Sequence, residues 1–256
     1  MNKKNIIIAI AIVLALLLFL DCFMFPKINY SNLDQNNKNF AVVELFTSEG
    51  CSSCPPADEL LANLQKEVSN KNIFLLAFHV DYWDRLGWKD SFSREEYTDR
   101  QRQYKQWLGL NVLYTPEFVI NGTSEFAGDS KSTLYEKVSN ALKKEPLLEI
   151  TLEAKNIGDS LILNYTTNRL EEDASLFLAI IEKKASTKVG RGENNGSVLN
   201  HVQIVRNAFT IPLKEKENNL NMSRPEYLNW TDFELIAFVQ KNETGEIIAA
   251  TRAVLK

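Results

Sequence analysis

The chain has 256 residues, of which 45% are hydrophobic and 24% are charged, a balance typical of a globular protein. Its formal net charge of -4 argues against nucleic acid as the main partner. Only three cysteines occur, Cys22, Cys51 and Cys54, which excludes a small scaffold held together by many disulfides.

The N-terminal segment is predicted to direct export. Two lysines precede an apolar stretch that fills most of residues 6–25. Its length suits an uncleaved membrane anchor or a cleaved signal peptide, and Cys22 leaves lipid modification as a third alternative. All three place the rest of the chain outside the cytoplasm, in the periplasm or secreted, since the lysines stay inside. Residues 1–27 are therefore predicted to be a signal peptide or anchor, and residues 28–39 a polar linker.

A strand, a helix and a second strand follow the linker. Ala41 to Phe46 is an apolar run interrupted only by Glu44, and it predicts a buried strand. Ile73 to Val80, interrupted only by His79, predicts a second one. Between them, leucines recur at helical spacing and predict an amphipathic helix from Asp58 to Ser69. A strand, a helix and a strand in close succession favour a parallel pair of strands with a right-handed crossover.

The pair Cys51 and Cys54 lies between the first strand and this helix. Two thiols at this spacing are able to close a disulfide, and a helix N-terminus favours the thiolate, so the pair is typical of a dithiol redox site. Cys51 is the expected exposed nucleophile and Cys54 the resolving thiol. A structural disulfide without turnover and a metal site are the alternatives.

The next predicted elements surround this pair. Residues 81–92 form an aromatic-rich loop in which Trp83 and Trp88 are candidates for a substrate-binding lip. Ser93 to Trp107 has helical character, with Ser93 and Glu96 as a capping box.

A hairpin and a closing helix complete the first half of the chain. Phe118 to Ile120 and Ser124 to Ala127 are predicted to pair through the turn Asn121-Gly122. Ser130 to Lys144 has apolar residues along one face and is predicted to be a helix.

The C-terminal half changes to short alternating strands separated by turns, which predicts an all-β sandwich. The predicted strands are Leu148–Ala154, Ser160–Thr166, Leu176–Glu182, Val202–Pro212, Phe233–Gln240 and Ile247–Val254. A polar group in this half could bind a partner or an anion, or fix a long loop by hydrogen bonds; its members are Arg191, Glu193, Asn194, His201 and Arg206.

A cysteine pair after the first strand, a later Thr-Pro and an Asn-Gly hairpin together resemble the thioredoxin fold. In that fold a cis proline packs beside the redox disulfide, and the matching residue is Pro116. The resemblance further implies that Thr115 contacts substrate. It also implies a buried carboxylate that moves the proton of the second thiol, for which Glu44 is the candidate. The alternative for Glu44 is a carboxylate at the end of a strand that pairs with a Lys or an Arg.

Longer motifs resemble one bacterial family of secreted, thioredoxin-like proteins, catalogued as domain of unknown function 1223. They are Val42 to Asp58, Phe78 to Asp84, Leu86 to Asp90, Tyr114 to Pro116, Val189 to Asn194 and Val205-Arg206. The resemblance covers roughly residues 40–256 and implies the fold, whereas the family description implies no activity. Gly50 stands where thioredoxins carry an aromatic residue.

These observations predict an α/β protein with a thioredoxin-like domain over residues 40–145 and an all-β, sandwich-like domain over residues 146–256. The expected function is thiol–disulfide exchange through Cys51 and Cys54 without a dissociable cofactor. The expected partners are exported protein thiols or a membrane electron donor, and not nucleic acid. Two alternatives stay open: a copper or zinc carrier that adds His79 to the two cysteines, and a partner-binding scaffold without turnover.

Overall fold

The computed structural model describes residues 38–68, 71–157, 160–223 and 231–256. The predicted anchor and nearly all of the predicted linker lie outside the described residues. Among the helices that are described, none has the length and hydrophobicity to cross a membrane.

The predicted strand–helix–strand unit is present. Strand β1 (Ala41–Thr47) and strand β2 (Ile73–His79) are buried throughout and pair in parallel, as predicted. Helix α1 (Pro55–Val68) lies between them and begins three residues earlier than predicted. Two prolines are tolerated there because the first turn of a helix has N–H groups without intrahelical acceptors.

The elements that follow also match the predicted order. They are helix α2 (Glu95–Trp107), strand β3 (Glu117–Ile120), strand β4 (Ser124–Ala127) and helix α3 (Lys131–Ala141). Asn121 and Gly122 both have positive φ, 46° and 69°, which is the conformation that a tight Asn-Gly hairpin requires.

The predicted capping box of α2 is wrong. The Ser93 hydroxyl donates to the Asp84 carboxylate and to the Asp90 carbonyl, at 2.8 and 2.9 Å. The helix N-cap is Arg94, which makes no side-chain capping bond. Two acidic residues of the preceding loop therefore hold the hydroxyl that the local pattern assigned to the helix.

Within the described residues, the C-terminal half contains eight strands. In chain order they are β5 (Ile150–Ile157), β6 (Ser160–Thr167), β7 (Ala174–Lys188), β8 (Val198–Pro212), β9 (Glu217–Ser223), β10 (Phe233–Lys241), β11 (Ile247–Arg252) and β12 (Val254–Leu255). Strand β9 was not predicted, and residues 254–255 form a separate short strand rather than the end of β11.

The strands form two sheets. The larger has the order β11-β10-β7-β8-β2-β1-β3-β4, and the smaller has the order β12-β5-β6-β9. Strand β8 pairs in parallel with β2, with Ala77 opposite Ile204. One layer of the expected sandwich is therefore a continuation of the first sheet, and the smaller sheet packs against that layer across a shared apolar core.

Helices cover both faces of the β1–β3 region. Helices α1 and α3 pack on one face, around residues such as Leu45, Leu61 and Leu134. Helix α2 packs on the opposite face, and that core continues beneath β7 and β10 through Phe177 and Phe238. The two halves of the chain thus share a hydrophobic core, and residues from both reach the end of β1 where the cysteines lie.

Candidate functional site

Cys51 and Cys54 form a disulfide with their Cα atoms 5.4 Å apart. The Asp58 N–H donates to the Cys54 carbonyl at 3.0 Å, which places Cys54 at the N-terminal boundary of α1. The local sequence produces this arrangement because β1 ends at Thr47 and the helix starts at Pro55. The disulfide therefore lies where the helix dipole favours a thiolate.

Both cysteines are 0% exposed, so the expectation of an exposed Cys51 is wrong. The two residues between them, Ser52 and Ser53, are exposed. The disulfide therefore lies directly beneath the surface layer, and a substrate reaches it only if part of the covering structure moves.

The segment Thr115-Pro116 packs against the disulfide. Its peptide bond is cis. The Thr115 carbonyl lies 3.8 Å from Cys51 Sγ and 3.5 Å from the Ser53 hydroxyl. The Trp83 indole N–H donates to Thr115 Oγ1 at 2.8 Å, so three of the predicted site residues lie together beside Cys51.

A short loop from the C-terminal half covers the cysteine motif. This cap loop, residues 189–197, connects β7 to β8. Asn194 Nδ2 donates to the carbonyls of Glu49 and Cys51 at 2.9 and 3.0 Å. The Ser52 N–H donates to Glu193 Oε2 at 3.0 Å, and hydrogen bonds from Ser52 lower the pKa of that exposed carboxyl. The polar group noticed in the sequence therefore contacts the backbone around the disulfide.

Trp88 packs against the cap loop. A Cβ added to Gly190 would lie 3.1 Å from Trp88 Cζ3, and one added to Gly192 would lie 3.4 Å from Trp88 Cβ. The Trp88 indole N–H donates to Glu49 Oε2 at 2.7 Å. Trp88 is thus partly buried between the cap loop and Glu49. The two glycines allow the loop backbone to lie close to the Trp88 side chain.

Both histidines of the chain lie in a buried cluster of charged side chains. His79 Nδ1 lies 2.7 Å from Asp90 Oδ2, and the same oxygen accepts the Glu49 N–H at 2.9 Å. His201 lies between two carboxyls, with Nε2 3.3 Å from Glu49 Oε1 and Nδ1 3.9 Å from Asp58 Oδ2. The centroids of the two imidazole rings are 4.8 Å apart, and the rings pack edge to face.

The cluster shifts the pKa values of its members. Burial raises the pKa of Asp58, and the neighbouring His201 and His79 oppose this only in part. Burial acts to lower the pKa of His79, but Asp90, Asp58 and Glu49 together outweigh burial and raise that pKa. Burial acts to raise the pKa of Asp90, but His79 and the N–H groups of Glu49 and Phe92 together outweigh burial and lower that pKa. His79 and Asp90 therefore favour their charged forms, whereas Asp58 keeps its proton to higher pH.

Glu44, the expected proton carrier, lies on β1 in a different network. Arg100 from α2 donates to both of its oxygens, at 2.5 and 2.9 Å, and the Tyr104 hydroxyl also donates to it. Gln240 from β10 completes this buried network by accepting from Arg100 and donating to Tyr104. Glu44 thus makes a buried ion pair with Arg100 within the first half of the chain, and the hydrogen bonds of Gln240 connect this pair to the C-terminal half.

Glu117 immediately follows the cis proline and is 1% exposed. Burial raises the pKa of Glu117 to about 7, while a hydrogen bond from Gln101 and the charges of Glu125 and Glu44 have smaller effects. Gln101 Nε2 donates to Glu117 Oε2 at 2.6 Å and to the Tyr114 carbonyl at 2.7 Å. Gln101 therefore holds the residues on both sides of Thr115-Pro116, the Tyr114 backbone on one side and the Glu117 side chain on the other.

The structure places His79 in the histidine cluster, with one ring nitrogen facing Asp90. In the parts of the chain that the structure describes, no group of three or more His, Cys, Asp or Glu side chains is arranged to hold a metal ion. The alternative of a copper or zinc site at Cys51, Cys54 and His79 stays a prediction.

Sequence reasoning did not single out Glu49, Asp58 or Asp90. One signal was present for Asp58, because it lies three residues before Leu61 and hence near the buried face of α1. A carboxyl in that position is unusual in a helix packed on a sheet. Glu49 and Asp90 lie in loops, and their buried contacts arise only from tertiary packing.

Comparison with known proteins identifies relatives without an assigned activity. A family model described as "Protein of unknown function (DUF1223)" matches residues 42–240. A crystal structure of a protein from Agrobacterium tumefaciens is similar, with a TM-score of 0.64 and 26% identity over 83% of this chain and 92% of that chain. A domain of the outer membrane lipoprotein Omp28 from Porphyromonas gingivalis has a TM-score of 0.27 and 10% identity, over 43% of this chain and 88% of that chain. No curated protein matches.

Proposed function

This chain belongs to the DUF1223 family, and from the geometry of its site we propose that it exchanges thiols and disulfides through Cys51 and Cys54. The observation that carries the proposal is a disulfide at the start of α1 with the Thr115-Pro116 segment packed against Cys51. A helix N-terminus stabilises the thiolate that such exchange requires. The arrangement also supports placement in the thioredoxin superfamily.

The exchange proceeds in two balanced steps. In the dithiol form, the Cys51 thiolate attacks a substrate disulfide, forms a Cys51–substrate disulfide and releases one substrate thiolate, which takes a proton from water. Cys54 then loses its proton and attacks Cys51 Sγ, which forms the Cys51–Cys54 disulfide and releases the second substrate thiolate. Two electrons pass from the protein to the substrate, and the reverse sequence oxidises a substrate dithiol.

The proposed substrates are proteins outside the cytoplasm, because the apolar N-terminal segment has the composition of an export signal or anchor. A membrane electron donor or acceptor would restore the starting redox state. No dissociable cofactor is part of this proposal.

Trapping of the mixed disulfide tests the proposal. In the full chain, Cys54→Ser should accumulate disulfide-linked adducts with a model disulfide protein, because the resolving thiol is absent. Cys51→Ser should form none and should abolish reduction of that protein. Cys22→Ser is the matched control and should retain wild-type exchange. Equal exchange by the Cys51→Ser variant and the wild-type chain would refute the proposal.

A further inference from the structure

The buried histidine cluster contains polar atoms that lack hydrogen-bond partners. Within the described residues, Glu49 Oε1, His79 Nε2 and both ring nitrogens of His201 are buried and without such a partner. A buried polar group without a hydrogen-bond partner destabilises the folded state, and a charged group does so more strongly. Glu49 Oε1 and His201 Nε2 face each other at 3.3 Å without the geometry of a hydrogen bond. The remaining two atoms, His79 Nε2 and His201 Nδ1, also lack a hydrogen bond in the described part of the chain, which indicates that the polar groups of the cluster are kept for a reason other than stability.

The cluster adjoins both cysteines. Asp58 lies four residues after Cys54 on α1, and residues at this spacing are neighbours on one helix face, with Cβ atoms about 5–6 Å apart. Glu49 lies two residues before Cys51, and its carbonyl accepts the same Asn194 amide that binds the Cys51 carbonyl. The cluster therefore contacts the disulfide segment on both sides.

Side chains from several strands, one helix and a loop surround the two histidines. Phe92 packs against both histidine rings, with ring centroids 5.1 and 5.5 Å away, and closes the cluster on one side. The charged and titratable groups that face His201 or its immediate neighbours are Glu49 after β1, Asp58 on α1, His79 on β2, Asp90 in the following loop and Arg206 on β8, whose guanidinium lies over the Phe92 ring. Glu182 on β7 pairs with Arg206 at 3.5 Å.

We infer that this cluster receives the proton that the Cys54 thiol releases, with Asp58 as the first acceptor and His201 as a positioning residue supplied by the C-terminal half. The inference rests on the proposed thiol–disulfide exchange and concerns its second step. The burial that raises the pKa of Asp58 brings it closer to that of a thiol, which makes the carboxylate a more effective base. His201 lies between Asp58 and Glu49, and its proximity to Asp58 partly opposes the rise that burial causes in the pKa of Asp58.

In this step the proton of Cys54 Sγ–H passes to Asp58, and the electron pair left on sulfur forms the bond to Cys51 Sγ. The bond between Cys51 and the substrate sulfur breaks, and the substrate leaves as a thiolate. The proton on Asp58 returns to solvent when the substrate departs, so atoms and electrons balance without a further reactant.

The pH dependence of the second step tests this inference. The full chain in a Cys22→Ser background is reduced and mixed with 5,5′-dithiobis(2-nitrobenzoate), and the release of the second thionitrobenzoate is followed at intervals from pH 5 to pH 9. In His201→Gln and in Asp58→Asn this release should be about tenfold slower at pH 6, since a positioned base contributes at least that factor. The deficit should vanish near pH 9, where an unassisted thiol with a pKa of about 8.5 ionises.

Tyr165→Phe is the matched control, because it removes the hydrogen bond of 3.3 Å from the Tyr165 hydroxyl to the Glu215 carbonyl, in the apolar core between the two sheets, which contains none of the cluster residues. It should show the wild-type pH profile. A His201→Gln profile parallel to the wild type, or a deficit equal at every pH, would overturn the inference and leave the proposed function intact. Failure of the parent chain to release a second thionitrobenzoate at any pH would overturn both.

Discussion

Replacement of Glu117 by Gln should stabilise the protein in a strongly pH-dependent way. The Glu117 carboxyl is buried, and its pKa is raised from 4.5 to about 7. The folded state therefore binds its proton more tightly than the unfolded chain does. Such a group contributes its full stability below pH 4.5, and this contribution is lost as the pH rises through about 7. Gln keeps the oxygen that accepts from Gln101 and removes the ionisation.

The magnitude follows from the two pKa values. Ionisation of Glu117 costs roughly 3 kcal/mol at pH 8 and about 1 kcal/mol at pH 5, at 1.36 kcal/mol for each tenfold difference in proton affinity. The gain from Glu117→Gln should therefore be larger at pH 8 than at pH 5 by about 2 kcal/mol. With an m-value of about 2 kcal/mol per molar, the urea midpoint should rise by roughly 1 M more at pH 8.

Urea unfolding of the wild-type chain and the variant at both pH values measures this difference. Glu136→Gln, which neutralises an exposed carboxylate on α3, is the matched control and should give no pH-dependent gain. An equal gain at pH 5 and pH 8, or a loss at pH 8, would refute the argument that burial of Glu117 opposes its ionisation.

Three further substitutions probe other contacts. Arg100→Met should destabilise the protein by about 3–5 kcal/mol, because it leaves the buried Glu44 carboxylate unpaired, and adding Glu44→Met should restore much of this loss. Asn194→Ala should speed reduction of the disulfide by dithiothreitol about fivefold or more, since two hydrogen bonds of ~1 kcal/mol each hold the cap loop. Gly122→Ala should lower the free energy of unfolding by well over the ~1–3 kcal/mol that positive φ costs a residue with a Cβ. The new Cβ would also lie 1.8 Å from the Gly245 carbonyl oxygen.

Each of these three substitutions has a control or an outcome that would contradict its reasoning. A double variant less stable than Arg100→Met alone would contradict the assignment of the ion pair, as judged by urea unfolding. Asn195→Ala alters the same cap loop at an exposed residue and should leave the reduction rate unchanged. Gly128 also has positive φ, 89°, but open space around it, so Gly128→Ala should show the conformational cost alone in thermal unfolding.

Local signals in the sequence predicted the elements near the cysteines well. The apolar run of β1 and the leucine spacing of α1 are patterns among residues close in sequence, so they can be read locally. The turn Asn121-Gly122 is also a local signal, because the two residues accept the positive φ that the hairpin requires. The Ser93 capping box failed because Asp84 and Asp90 compete for the same hydroxyl. That competition depends on tertiary packing, which a four-residue pattern does not contain.

The arrangement of the C-terminal strands was harder to predict. Strand β9 (Glu217–Ser223) is an edge strand of the smaller sheet and is mostly polar, with only Leu220 and Met222 as apolar residues, so its alternation is too short to predict a strand. The pairing of Ala77 with Ile204 joins strands that are distant in sequence, and no local pattern specifies it. For the same reason His201 and Asn194 were recognised as polar residues of interest, but their contacts with the disulfide segment were not.

The continuity of the large sheet bears on how the chain can be divided. Because β8 pairs with β2 at Ala77, a fragment ending at residue 145 would leave this edge of β2 without its partner strand at that position. Unprotected apolar edges of this kind recruit further strands, and such a fragment is expected to self-associate. Domain shuffling at this boundary would therefore separate two segments that each complete the other's hydrogen bonding.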